Sequence, residues 1–168
     1  RGSSVFPAPC RRALKIETYT EASAMNFGCT GRKLSKRTWN IMPKIREVDL
    51  YIRRRQLKGR IREMHPEIVF WGLNGRQPMA HPKRSDAGHE ERLAVLQRWV
   101  PDAEEVLQSV IFNTSFGQGL IARDDVMDAL AGAVAATFKG RLKTLPPIPE
   151  TDVQCLPMEM VYPDIRGE

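Results

Sequence analysis

The chain has 168 residues, 42% of them hydrophobic and 27% charged, a composition that excludes wholesale disorder and suits one domain with a buried core. Twenty-six Lys and Arg against 20 Asp and Glu give a net charge of +6, which favours polyanionic partners such as nucleic acid. Cys10, Cys29 and Cys155 form no C-x-x-C pair, and no run approaches the roughly 18 apolar residues of a membrane span. These features predict a cytoplasmic protein with reduced thiols, no zinc site and no membrane contact.

Residues 1–9 (RGSSVFPAP) read as a Pro/Ser/Gly loop, an uncommon way for a domain to begin, so upstream sequence is expected. Residues 17–26 have helical composition and are expected to end before Phe27, with Gly28 in the left-handed terminal position. Ser35 is placed to cap a second helix carrying Trp39, Ile41 and Met42, which breaks or kinks at Pro43 and resumes over 44–57 until Gly59. Basic clusters lie along this region at Arg32, Lys33, Lys36 and Arg37, then at Arg53, Arg54, Arg55, Lys58 and Arg60. They read either as solvated helix faces or as phosphate contacts, and Trp39 either as a core residue or as a base-stacking one.

Residues 60–65 (RIREMH), bounded by Gly59 and Pro66, are expected to form a strand, on which Glu63 and His65 share a face. Pro66 and Glu67 then open a helix that stops at Asn74 and Gly75, although the β-branched and aromatic residues at 68–71 also suit a strand. A polar loop follows over 76–88, either a flap or a plain connection. Helices are expected over 90–99, with Leu93, Leu96 and Trp99 on one side, and over 103–111. A Gly/Asn/Ser loop at 112–119 leads to a final helix over 125–139, rich enough in Ala and Gly to pack closely. Three prolines at 146, 147 and 149 forbid further helix, and residues 156–162 suit a terminal edge strand.

The carboxylates carry the chemical interest. Asp124, Asp125 and Asp128 open the final helix, where Asp125 and Asp128 are three apart and Asp124 and Asp128 four apart, so either pair can share a face. They serve either as caps and dipole partners or as ligands for a divalent cation. Glu63, His65 and Glu67 form a second concentration with the same two readings. P-loop, dinucleotide-binding and esterase motifs are absent from the sequence.

Four segments together, SVFPAP at 4–9, PKIREVD at 43–49, EMHPEIVFWGLNG at 63–75 and DDVMDALA at 124–131, resemble the predicted nuclease family known as domain of unknown function 429. The last of them also resembles the D-x-x-D-A-L-A signature of Holliday-junction resolvases, placed on Asp125 and Asp128. The resemblance implies an α/β, ribonuclease-H-like fold, helix-dominated because only the C-terminal two thirds of the family domain is present, as a single partial domain over 1–168. It implies a metal-dependent phosphodiesterase acting on nucleic acid, with Mg2+ or Mn2+ held by Glu63, Asp125 and Asp128. Asp124 becomes the helix cap, and His65 and Glu67 orient water or a ligand. The family's first-strand aspartate, in a G-I-D-G-like segment, is not in this sequence, so the resemblance also implies an incomplete metal site and an exposed sheet edge through which copies can associate. The competing expectation is a nucleic-acid-binding or assembly module without catalysis.

Overall fold

A computed structural model describes residues 7–112 and 121–166. Residues 113–120, most of the predicted Gly/Asn/Ser loop, lie outside them. The fold is mixed α/β and helix-dominated, and the chain forms two compact units, residues 1–61 and 62–168.

In the first unit, a short 3-10 turn at Ala13–Lys15 precedes helices α1 (Tyr19–Thr30) and α2 (Lys36–Arg54). Thr18 caps α1: its Oγ1 accepts from the Glu21 N–H at 3.4 Å and donates to the Glu21 carboxylate at 2.7 Å, so the cap satisfies one backbone N–H of the first turn. The helix runs through Gly28 and ends at Gly31, whose φ is +70°. Buried Asn26 accounts for the longer span, since its amide donates to Thr30 Oγ1 at 3.2 Å and to the Arg32 carbonyl at 2.8 Å, holding the last turn together.

Ser35 caps α2 as its sequence position predicts, accepting from the Thr38 N–H at 3.0 Å. Pro43 does not break the helix. It lies on the solvent side, where the carbonyl it leaves unpaired can be hydrated, while Thr38 and Met42 bury the opposite face. The helix stops at Arg54, and Gly59 serves a later turn that bridges Lys58 to Ile61. Trp39 takes the core alternative, packing beside Leu34 and Met42 and edge-on to Tyr19 at 5.9 Å.

The second unit contains α3 (Pro66–Leu73), α4 (Asp86–Gln97), α5 (Ala103–Ile111), α6 (Arg123–Thr137), β1 (Leu142–Leu145) and β2 (Met160–Pro163). Residues 66–73 adopt the helical alternative. Proline at the first position and glutamate in the first turn match the helix N-terminus, and Val69, Phe70 and Leu73 bury one stripe. Helix α6 packs against α3, α4 and α5, and Phe70, Leu96, Leu107, Met127 and Ala131 meet in the core between them. The small residues of α6 allow the expected close approach: a Cβ on Gly132 would stand 2.7 Å from the Met64 side chain.

Residues 62–65 are extended without forming the expected strand. Among the described residues a single backbone bond joins them to β2, from the Val161 N–H to the Glu63 carbonyl at 2.8 Å. The terminal strand is shorter than predicted and starts at Met160. It pairs antiparallel with β1, Leu142 opposite Pro163 and Leu145 opposite Met160. Arg62 grips buried Glu159 with two bonds of 2.7 and 2.8 Å, tying the segments that precede α3 and β2, and Trp71 of α3 meets Tyr162 of β2 edge-on at 5.0 Å. No described helix is long and apolar enough to cross a membrane.

Gly72 is where α3 touches β2 most closely, because a Cβ there would overlap the Pro163 carbonyl oxygen. Backbone cannot yield as a flexible side chain can, so Gly72→Ala is expected to destabilise the protein by about 2 kcal/mol or more, read from the urea midpoint at unchanged m-value.

Candidate functional site

A cluster of charged side chains in the second unit joins α3, α4, α6 and the loop before α4. Arg92, on α4, has only 1% of its side chain exposed. It holds Glu67 of α3 through Nε at 3.0 Å and through Nη2 at 2.8 Å to each carboxylate oxygen, and its Nη1 donates to the carbonyls of His81 and Gly88 at 3.2 and 2.7 Å. A guanidinium taken from water needs this number of acceptors to offset its desolvation.

The loop before α4 is fixed from both sides. The Glu91 carboxylate accepts from the Ala80 and His81 N–H groups at 2.7 and 3.0 Å. Ser85 caps α4 by accepting from Gly88 N–H at 3.1 Å and also donates to the Pro82 carbonyl at 2.8 Å. Gly88 has no Cβ to collide with that carbonyl, so the loop lies directly on the first turn of α4. Of the two readings of this segment, the stretch from Ala80 to Ser85 is a pinned connection.

Lys83, carried by that loop, projects its ammonium between two carboxylates of α6, 3.2 Å from Asp124 and 3.0 Å from Asp128. The four-residue pair therefore shares this face, and Asp125 does not. Asp125 stands exposed in line with Ala129, Ala133 and Ala136, on the opposite side from buried Met127, Ala131 and Val134. Nor is Asp124 the cap. The residue in the cap position is Ala122, which has no capping side chain, and Asp124 occupies the first turn with its carboxylate turned to Lys83.

The two carboxylates behave differently although they share one cation. The Lys83 hydrogen bond dominates at Asp124 and holds its carboxyl below the ordinary value. Burial dominates at Asp128 and pushes its carboxyl up, reinforced by the negative charges of Glu67 and Asp124 and opposed by Lys83. Burial alone would lower the Lys83 ammonium, but the bonds to Asp128 and Asp124 outweigh it and raise the group.

Glu63 and His65 lie in the segment that leads into α3, two to four residues before Glu67. The Glu63 carboxyl is pushed up by the protein atoms around it and drawn partly back by His65, so these two do interact. His65 occupies the cap position of α3, its carbonyl accepting from Ile68 and Val69 at 2.9 and 3.0 Å, while its buried Nδ1 has no partner. The expected ligand trio of Glu63, Asp125 and Asp128 is not gathered: among the described residues no group of three or more His, Cys, Asp or Glu stands close enough to hold a metal ion.

Sequence reasoning missed Lys83 and Arg92. Lys83 had a weak signal, a cation in a loop bounded by Pro78, Pro82 and the Ser85 cap. Arg92 had none, because an arginine on an otherwise amphipathic helix reads as surface.

Replacing Lys83 with Met is expected to raise the carboxyl titration of both Asp124 and Asp128, observed by carbon NMR of the carboxylates. In the unaltered protein Asp124 titrates below Asp128. The sign follows for stability. The Asp124 contribution is present above the unfolded value of 3.8 and lost as pH falls through the lower folded value, whereas the Lys83 contribution is present below 10.5 and lost as pH rises through its raised folded value.

Neither the curated proteins nor the solved structures searched contain a match to this chain. Residues 1–151 match the family described as "Protein of unknown function (DUF429)". With most of its length covered and the polar cluster of α3, α4 and α6 inside the match, the chain belongs to the DUF429 family.

Proposed function

We propose that the face of α6 carrying Asp124 and Asp128 is the chemical centre of this unit, and that it serves divalent-metal-dependent hydrolysis of nucleic-acid phosphodiesters on a ribonuclease-H-like fold. The observation that carries this reading is the Lys83 ammonium held between the two carboxylates. Partly exposed ion pairs contribute only about 0–1 kcal/mol to stability, so structural need gives little reason for two acids converging on one cation beside a third, Glu67. Perturbed carboxylates of this kind are characteristic of functional sites.

The donor set suits magnesium or manganese better than a closed protein cage. Magnesium is commonly held by one or two carboxylates, with water and substrate phosphate oxygens completing its shell. Asp124 and Asp128 would hold the ion, which supplies charge neutralisation at the phosphate and an activated water. Arg92 fixes Glu67, and Glu67 in turn raises the proton affinity of Asp128. Lys83 balances the negative charge of the pair and is a cation that a metal has to displace. His65 and Glu63, adjacent to one another, are a separate acid–base pair that the family resemblance also implicates.

Mn2+ is expected to broaden NMR signals of the first turns of α6, and Asp128→Asn to abolish that effect without unfolding the protein. In a protein that also carries the family's first-strand aspartate, the same substitution is expected to lower Mg2+- or Mn2+-dependent cleavage of branched DNA or structured RNA by about 100-fold or more, the worth of a few kcal/mol of charge stabilisation. Broadening centred elsewhere, or cleavage indifferent to EDTA and to Asp128→Asn, overturns the reading.

A further inference from the structure

Charge is divided unequally between the two units. Residues 1–61 hold 15 Lys and Arg against 4 Asp and Glu, a net charge of +11, whereas residues 62–168 hold 11 against 16, a net charge of −5. The excess gathers on α2 and its flanks, where residues 32–60 carry 11 basic and 2 acidic side chains. Both acids are already engaged: Glu47 pairs with Lys44 at 3.2 Å, and Asp49 with Arg11 at 2.5 Å and with Arg53 at 2.8 Å.

We infer that the solvent face of α2, with the turn that follows it, is a docking surface for the phosphate backbone of a nucleic acid, a surface that rests on the nucleic-acid reading above for its class of partner. Arg53, Arg54, Arg55, Lys58 and Arg60 are all exposed within eight residues. At the other end of the helix Arg32 and Lys33 are exposed just before a first turn that contains no acid. Cations there oppose the helix dipole, so local stability gives no reason for that cluster. A helix of 19 residues spans roughly 28 Å at 1.5 Å per residue, enough to set its two basic ends against several successive phosphates. Tyr51, 53% exposed, lies one turn before Arg54 and Arg55 and offers a ring to an unpaired base.

Nucleic acid suits this face better than a lipid surface does. An interfacial helix buries a continuous apolar side in the headgroups, but the apolar side of α2, through Trp39, Met42 and Ile45, is already packed on its own unit. What remains outside is Ile41, Val48, Leu50 and Tyr51, interspersed with charge.

The test uses the whole chain in EDTA, so that binding is measured whether or not the protein cleaves, with fluorescein-labelled single-stranded and duplex oligonucleotides of about 20 nucleotides and anisotropy as the readout. Affinity is expected to fall roughly 100-fold between about 50 and 200 mM KCl, as for about four neutralised phosphates. The variant R54E/R55E/K58E is expected to bind at least about tenfold more weakly, with a shallower salt dependence. Should charge reversal prevent folding, judged by circular dichroism, R54Q/R55Q/K58Q carries the same expectation. Absent or salt-insensitive oligonucleotide binding, a folded variant that binds as tightly as the unaltered chain, or capture by phosphatidylserine vesicles in place of oligonucleotides overturns the docking surface. None of those results bears on Mn2+ binding at Asp128.

Discussion

The buried guanidinium of Arg92 is the constraint on which the polar architecture of the second unit depends. An unpaired guanidinium at that depth would cost several kcal/mol, so α3 has to present Glu67, the preceding loop has to present the His81 carbonyl, and α4 has to present Gly88. Two other segments, α3 and the loop before α4, are thereby tied to one side chain and to the first turn of its own helix. The loop, once held at His81 and by Glu91, delivers Lys83 two residues later onto α6. The geometry of the Asp124–Lys83–Asp128 group thus follows from an interaction that includes none of its members.

That dependence also explains why two chemically identical aspartates differ. Asp124 lies nearer solvent and responds chiefly to the cation, while Asp128, one turn deeper and next to Glu67, responds chiefly to burial. A pair pushed in opposite directions by position alone provides one group that stays ionised and one that accepts a proton more readily, the division of roles that acid–base and metal-assisted chemistry exploits. The contrast in net charge between the units extends the same logic to a larger scale. Under the proposed reading, carboxylates that handle phosphate chemistry would repel phosphate, and cations carried by a separate unit would supply the attraction.

Much of the helical framework was legible in the residues themselves. Ser35 as a cap, Pro66 and Glu67 as a helix start, and the helix over Ala103–Ile111 all act through local bonds within about four residues. The errors arose where a side-chain bond or tertiary packing overrode the local signal. Gly28 carried the signature of a helix end, yet Asn26 prolonged the helix to Gly31 through bonds to Thr30 and Arg32. Residues 62–65 had strand-like composition but found only one ladder bond. In α6, either Asp124 or Asp125 satisfied the spacing to Asp128, and the burial of Met127, Ala131 and Val134 chose Asp124 by fixing the rotation of the helix.

Sequence by itself therefore determined the helix-rich character, the basic balance, the family and the presence of acids at the head of the last helix, because composition, capping and periodicity are properties of near neighbours. Only the tertiary structure decided which acids meet and what holds them. Bringing Lys83 to Asp128 spans 45 residues and Arg92 to Glu67 spans 25, and over such separations the partner is selected by packing and by the cost of burying charge, which no local pattern records.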